Sequence, residues 1–328
     1  MYAIGGESMN ANDLKNKFGS VNKYLNIVSL IVLIIVFLFL NPNFLAMNNI
    51  TNILTDTAPL LLMAIGITFV LLLGSIDLST GSICTCTCVI TGLYIGDYGL
   101  MVLIPVVAFG LFAGLVNGLV FTKLKVPSFI ATLCTSAIFK CFALILSGGR
   151  PKGIPIKQWG VLAWSKFKLG VIPIYFIIAI IILLICYFIE KRTVLGRSIF
   201  ACGANEPAAK MMGLKIEKAK LYAFVICGVL SALSGFFYAV KLRSSLPAIG
   251  DPLGLLCIAA VALGGTSLAG GSGSVLKSLI GVLLVIVIQS GLNVIGVGAF
   301  WQQIVFGSLV IIAIFMSSDK INTDIIVK

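Results

Sequence analysis

Apolar runs of roughly 17 to 23 residues, broken by short polar or glycine-rich stretches, fill most of this chain, and about 20 apolar residues cross a bilayer as a helix. The runs predict spans at 24–40, 54–73, 80–96, 100–122, 128–147, 171–189, 220–240, 252–268, 275–295 and 300–316. They are continuous rather than alternating, which favours helices over barrel strands. The pattern predicts an all-α integral membrane protein of about ten transmembrane helices, with short re-entrant or broken segments where Gly and Ser are dense. One membrane domain at 24–316 lies between polar tails at 1–23 and 317–328.

Composition agrees. Of 328 residues, 59% are hydrophobic and 10% charged, against about 25% charged in a soluble domain. The net charge of +12 invites a nucleic-acid reading. The basic residues are dispersed over many loops, however, as the positive-inside bias requires. Ten spans starting inside leave both termini cytoplasmic, with 15 Lys or Arg inside and seven outside. The weak point of that orientation is the outer loop 148–170, with five basic residues and no acidic one. Its Trp159 and Trp164 are read either as interfacial anchors or as part of a surface for an outside partner. Lys15, Lys17 and Lys23 precede the first run and no small-residue cleavage site follows it, which suggests an uncleaved span.

Candidate chemistry is sparse. There is no histidine, and the nine cysteines are odd in number and sit mostly inside apolar runs. In the tract from Cys84 to Cys88, residues two apart point to nearly opposite helix faces. Only Cys84 and Cys88 share one, so small packing residues are the better reading than a metal site. No phosphate loop occurs, since Leu276 rather than Gly precedes Lys277-Ser278. No catalytic residue, metal or cofactor is therefore expected in this chain.

Polar groups within or beside the spans are candidates for a solute path: Asp77, Ser79, Ser82, Asn117, Lys140, Ser267, Gln289 and Asn293. A lysine in hydrocarbon is costly unless it faces a wet cavity, a partner or the interface, so Lys140 either lines a path or snorkels. Interhelical hydrogen bonding explains Asn117, Gln289 and Asn293 equally well. The stretch 73–82, Leu-Gly-Ser-Ile-Asp-Leu-Ser-Thr-Gly-Ser, aligns with 263–272, Leu-Gly-Gly-Thr-Ser-Leu-Ala-Gly-Gly-Ser, at five of ten positions. The two lie six spans apart, which predicts a parallel repeat unless small-residue motifs recur by chance. Gly264 and Gly265 join the gate candidates as a place where a helix can break.

The longest polar interruption, 190–220, holds 10 of the 34 charged residues. Within it Asn205 or Glu206 can cap a helix, Pro207 suits its first turn, and Gly213 can stop it. A helix this short is marginal alone. It needs a surface, either a groove in a partner or the chain's own membrane domain.

This segment resembles the coupling loop of ABC-importer permease subunits, and the nearest branch is the ribose-type permeases for simple sugars. The branch pattern Gly-Gly-Asn-Glu-x-Ala is matched here by Cys202-Gly203-Ala204-Asn205-Glu206-Pro207-Ala208, ending at Gly213-Leu214. Also similar are 75–82 (Ser-Ile-Asp-Leu-Ser-Thr-Gly-Ser), 129–133 (Phe-Ile-Ala-Thr-Leu), 147–151 (Ser-Gly-Gly-Arg-Pro) and the run from Ile258 to Gly273. The resemblance implies a permease of the bacterial cytoplasmic membrane, multi-pass, importing a ribose-like sugar, with a nucleoside or sugar-derived solute as the variant. It further implies an extracytoplasmic solute-binding protein, a second permease subunit forming a homodimer, and an ABC ATPase that binds ATP. That ATPase would dock on Gly203, Asn205, Glu206, Pro207, Ala208, Ala209 and Gly213. One departure stands out. The family's Tyr-Glu-Leu-Asp before the Ala-rich run is Leu253-Gly254-Leu255-Leu256 here, and Asp251 is near but out of register. An ion-coupled secondary transporter and a membrane-embedded enzyme are the readings from other classes. The scarcity of intramembrane relays and carboxylates weighs against both.

Overall fold

The structure, a computed structural model, describes residues 11–318, with side chains from Asn26 to Phe315. Residues 1–10 of the expected N-terminal tail and 319–328 of the C-terminal one lie outside that range. Twelve α-helices follow in order among the described residues. They are α1 (Ala11–Leu40), α2 (Met47–Leu72), α3 (Thr80–Tyr98), α4 (Leu103–Thr122), α5 (Ser128–Ser147) and α6 (Ile174–Arg192). After these come α7 (Val194–Ala204), α8 (Glu206–Met211), α9 (Ile216–Leu242), α10 (Leu253–Leu263), α11 (Val275–Ile295) and α12 (Ala299–Ser318).

Each expected span meets a helix, although the count of ten crossings is not confirmed. Among the described residues, six stretches are long and apolar enough to cross a bilayer: α2, the run Thr80–Thr122 (α3 with α4), α5, α6, α9 and α11. Shorter apolar helices accompany them. The expected span 252–268 is the 11-residue α10, only about 16 Å long at 1.5 Å per residue. Asp251-Pro252 and Gly264-Gly265 bracket its apolar run, so it is a half-span. Residues 11–23, expected in a tail, belong to α1.

The core is built on α2 and α9. From Thr57 to Leu72 every residue of α2 is buried, which accounts for its being apolar all round. Helix α9 packs on α2, α3 and α4. Gly110, Gly114 and Gly118 form one face of α4 against it; a methyl on Gly114 would stand 2.7 Å from Val225 Cα. Lipid provides little hydrophobic drive between helices, so such close backbone approach and its dispersion energy hold the pair. Helix α3 shows the face rule at work. Cys84 and Cys88 belong to the main core, whereas Cys86 packs with Val89 and Ala143 on the other side.

At the end remote from the 190–220 loop, two short ribbons close the chain: β1 (Lys152–Gly153) with β4 (Ser244–Ser245), and β2 (Lys168–Leu169) with β3 (Ile172–Pro173). Trp159 Nε1 donates to the Ile154 carbonyl at 3.0 Å and lies under Arg243, 4.1 Å from its ring centroid. Trp164 stacks on Phe236 at 6.0 Å. Both tryptophans thus pack partly onto their own chain.

Candidate functional site

The break between α2 and α3 is the first part of the site. Residues 75–79 are irregular, and α5 satisfies their backbone. Ile76 N–H donates to Ser128 Oγ (3.3 Å) and Leu78 N–H to Thr132 Oγ1 (3.1 Å). Non-helical backbone at membrane depth is tolerated only beside such partners or water. Ser79 N–H and Oγ both donate to Asp77 Oδ1, at 2.8 and 2.6 Å. Asn117 Nδ2 then donates to Ser79 Oγ (2.7 Å), and Thr135 Oγ1 to Asn117 Oδ1 (2.6 Å). Asp77, Ser79 and Asn117, chosen separately from the sequence, therefore form one buried chain through α4 to α5. Ser82 joins by donating to the Ser79 carbonyl at 2.8 Å. Thr135 was missed, although it lies three residues after Thr132 and seven after Ser128 on one helix face.

This chain fixes the broken segment in place, so its breakage should register as lost stability. Asn117→Leu is expected to cost about 1–3 kcal/mol by leaving Ser79 and Thr135 without their shared partner. Thermal unfolding in detergent reads it, and an unchanged midpoint would show that the bridge does not hold the break.

The remaining gate candidates do not join this network. Asn293 Oδ1 accepts from Gln302 Nε2 at 2.7 Å, tying α11 to α12, which is the interhelical reading. Gln289 lies partly buried on α11 and makes none of these contacts. Ser267 is buried and its Oγ accepts from Ala269 N–H at 3.2 Å within its own turn. Lys140 neither snorkels alone nor stands unpaired: its Nζ is 2.9 Å from Asp251 Oδ2.

The second part is a junction of three glycine-containing turns. Helix α2 ends with Gly74 at φ +73, where Gly74 N–H bonds the Leu71 carbonyl and Ser75 N–H the Val70 carbonyl. Helix α10 ends identically, with Gly265 at φ +92 bonding Ala262 and Thr266 bonding Val261. Both are Schellman stops, but the glycines correspond one residue out of step with the sequence alignment, which pairs Gly74 with Gly264. The first stop touches the loop that follows the second: Gly271 N–H donates to the Leu72 carbonyl at 3.0 Å. Into this contact comes the C-terminal end of α7, a helix the sequence reading missed. A methyl at Gly203 would overlap the Leu72 carbonyl oxygen and stand 2.5 Å from Gly271 N.

Helix α8 follows immediately, as its sequence signals predict. Asn205 caps it by accepting from Ala208 N–H at 3.0 Å, Pro207 sits in the first turn, and Gly213 at φ +76 stops it. Ala209 is fully buried against the chain's own core, while Met211 and Met212 are 84% and 69% exposed. Glu206 is not a free charge: Lys220 Nζ lies 2.7 Å from its Oε1 and 4.7 Å from the Phe121 ring centroid. Burial first, then nearby Glu206, pushes the Cys202 thiol up to about 11, so it stays protonated at neutral pH and acts as packing. At the start of the loop, buried Glu190 Oε2 accepts from Val275 N–H (2.7 Å) and Ser274 Oγ (3.2 Å). The end of α6 thus caps the start of α11.

Comparisons with known proteins agree on one family. The family described as "Branched-chain amino acid transport system / permease component" matches residues 49–314. The ribose import permease RbsC of Bacillus subtilis is 36% identical over 310 residues, 92% of this chain and 94% of that protein. The Haemophilus influenzae ribose import permease RbsC is 35% identical over 292 residues, 88% of this chain and 90% of that protein. The galactose/methyl galactoside import permease MglC of H. influenzae is 32% identical over 313 residues, with 89% and 92% covered. No solved structure matches the chain.

Proposed function

This chain belongs to the ribose-type branch of the ABC-importer permease family, a transport subunit rather than an enzyme, and we propose that it carries a neutral monosaccharide into the cell. An extracytoplasmic binding protein delivers the sugar, and a separate ABC ATPase, which binds the ATP, supplies the work from the cytoplasmic side. The 190–220 loop lies on that side, in the bacterial cytoplasmic membrane, and two copies of the chain form the complete path.

One observation carries the reading. Helix α8 is seated on its own domain by Ala209, yet turns Met211 and Met212 outward, and α7 beside it ends between the turn of α2 and the loop that follows α10. The two sequence readings of that helix therefore combine: its inner face docks at home and its outer face is left for a partner. An ATPase that pushes on α8 has a short mechanical route, through Gly203, to the two places where helices are broken. Such breaks provide the two-position element a transport cycle needs. Neutral solute suits the pathway candidates, which offer hydroxyls, amides, a balanced ion pair and one carboxylate, Asp77, already hydrogen-bonded to Ser79, rather than a broad field of one sign.

Reconstitution in liposomes with an ATPase and a ribose-loaded binding protein tests the proposal. Uptake is expected only with all three proteins and ATP. Sugar uptake that continues without the ATPase and follows a cation gradient would overturn it.

A further inference from the structure

The ion pair between Lys140 and Asp251 is half-exposed, 44% and 45% by side chain. Lys140 lies inside the 20-residue α5, seven residues or about 10 Å from its Ser147 end at 1.5 Å per residue. Asp251 lies in the segment that leads from the β1–β4 ribbon to the half-span α10. The preceding residue fixes its depth: Gly250 N–H donates to Thr85 Oγ1 at 3.0 Å, in the fully buried part of α3. The pair therefore bridges α5 to the start of α10, about 10 Å inside the end of a helix long enough to cross a bilayer. Charged groups with nearly half their side-chain surface uncovered there cannot face hydrocarbon without a large penalty. Either water or a partner chain must cover them.

Resting on the transport reading above, we propose that Lys140 and Asp251 line the aqueous path and hydrogen-bond the hydroxyls of the passing sugar. The ammonium has three donors and the carboxylate only acceptors, so one hydroxyl can accept from Lys140 while its neighbour donates to Asp251. The pair carries no net charge and so selects for neutral polyols over charged solutes. It also joins two elements that have to separate for a solute to pass between them. Asp251 thereby provides a pathway carboxylate in a chain that lacks both acidic residues before Ile258.

Thiol accessibility tests this without any need for coupled transport. Cys134 and Cys141, the exposed native cysteines, are first replaced by Ser. Lys140→Cys and Asp251→Cys are then expected to react with a charged, membrane-impermeant methanethiosulfonate at least about tenfold faster than Ile138→Cys or Ile145→Cys, because reaction requires hydrated thiolate. Ile138 and Ile145 are themselves 64% and 78% exposed on the same helix, so exposure alone does not separate the two sets. Excess D-ribose or D-galactose should slow the reaction, and ribose 5-phosphate should not. Labelling no faster than at the isoleucine positions overturns the aqueous assignment, and labelling that no neutral sugar slows overturns the solute contact. For a cysteine variant that fails to insert, Lys140→Arg against Lys140→Met provides the second reading: reconstituted uptake should survive the first and fall about tenfold or more in the second, where the carboxylate is left unpaired. Equal uptake by the two variants overturns the role of the charge. Because labelling needs neither ATPase nor ATP, its outcome is separable from that of the reconstitution.

Discussion

Met211→Asp with Met212→Asp is expected to abolish ATP-driven uptake while leaving the protein folded and inserted. Both side chains are exposed at 84% and 69%, and neither makes a contact that holds the chain together, so surface substitution there should cost the isolated protein about 0.5 kcal/mol or less. In a docked complex the same side chains would be covered, and burying a methionine is worth about 1.5–3 kcal/mol. Losing two such contacts, with two carboxylates to desolvate in exchange, weakens docking by roughly 100-fold or more, since about 1.4 kcal/mol is tenfold. The double variant should elute as a monodisperse protein with an unchanged melting point, yet fail to retain the ATPase. Normal ATPase retention and uptake would show that α8 is not the docking element. Charge reversal at Glu206 is a poorer probe, because that carboxylate is already paired with Lys220 inside the chain, and its loss would disturb the fold and the docking together.

A methyl group at Gly203 should be far more damaging than one at Gly213. The Cβ of Gly203→Ala would run into the Leu72 carbonyl on one side and stand 2.5 Å from Gly271 N on the other. These are backbone atoms, already joined by the hydrogen bond from Gly271 to Leu72 at 3.0 Å, and cannot swing aside as a side chain does. Overpacking of this kind typically costs about 1–3 kcal/mol and occasionally more, and rigid neighbours put it at the upper end. A methyl added at Gly213 would meet nothing within 4 Å, and only the φ of +76 there would be strained, at about 1–2 kcal/mol. Gly203→Ala is therefore expected to lower the melting temperature clearly and to reduce uptake further than its residual folded fraction explains. Gly213→Ala should retain most of both. If the two variants behave alike, the three-turn junction is not what α7 acts through.

Much of this architecture was legible in the hydrophobic pattern because period and length are local properties. Helices α2, α5, α9 and α11 follow directly from their apolar runs, and α8 from Asn205, Pro207 and Gly213. The short helices were harder. Helix α10 read as a span because apolar composition does not reveal where a run turns within the membrane. Helix α7 was hidden by its polar neighbourhood, although Thr193, which caps it by accepting from Gly196 N–H, and the spacing of Leu195, Ile199 and Cys202 were available signals. Members of the buried hydrogen-bonded network were legible in the sequence, but their partnerships were not. Asp77, Ser79 and Asn117 could be singled out one by one; that they form one chain depends on the packing of three helices. Lys140 posed a question in the sequence that Asp251, 111 positions away, answers.

The matching helix stops at Gly74 and Gly265 bear on how the two similar stretches can be exchanged. Aligned by letters, Leu73 pairs with Leu263 and Asp77 with Ser267. Aligned by the hydrogen bonds that end the helices, Gly74 pairs with Gly265 and Asp77 with Leu268. A graft of one stretch into the other's place, cut at the leucines, would therefore put a left-handed turn where a right-handed residue belongs and rotate everything after it by about 100°, one residue's turn of a helix. Exchanges of the two stretches have to be spliced at the glycines.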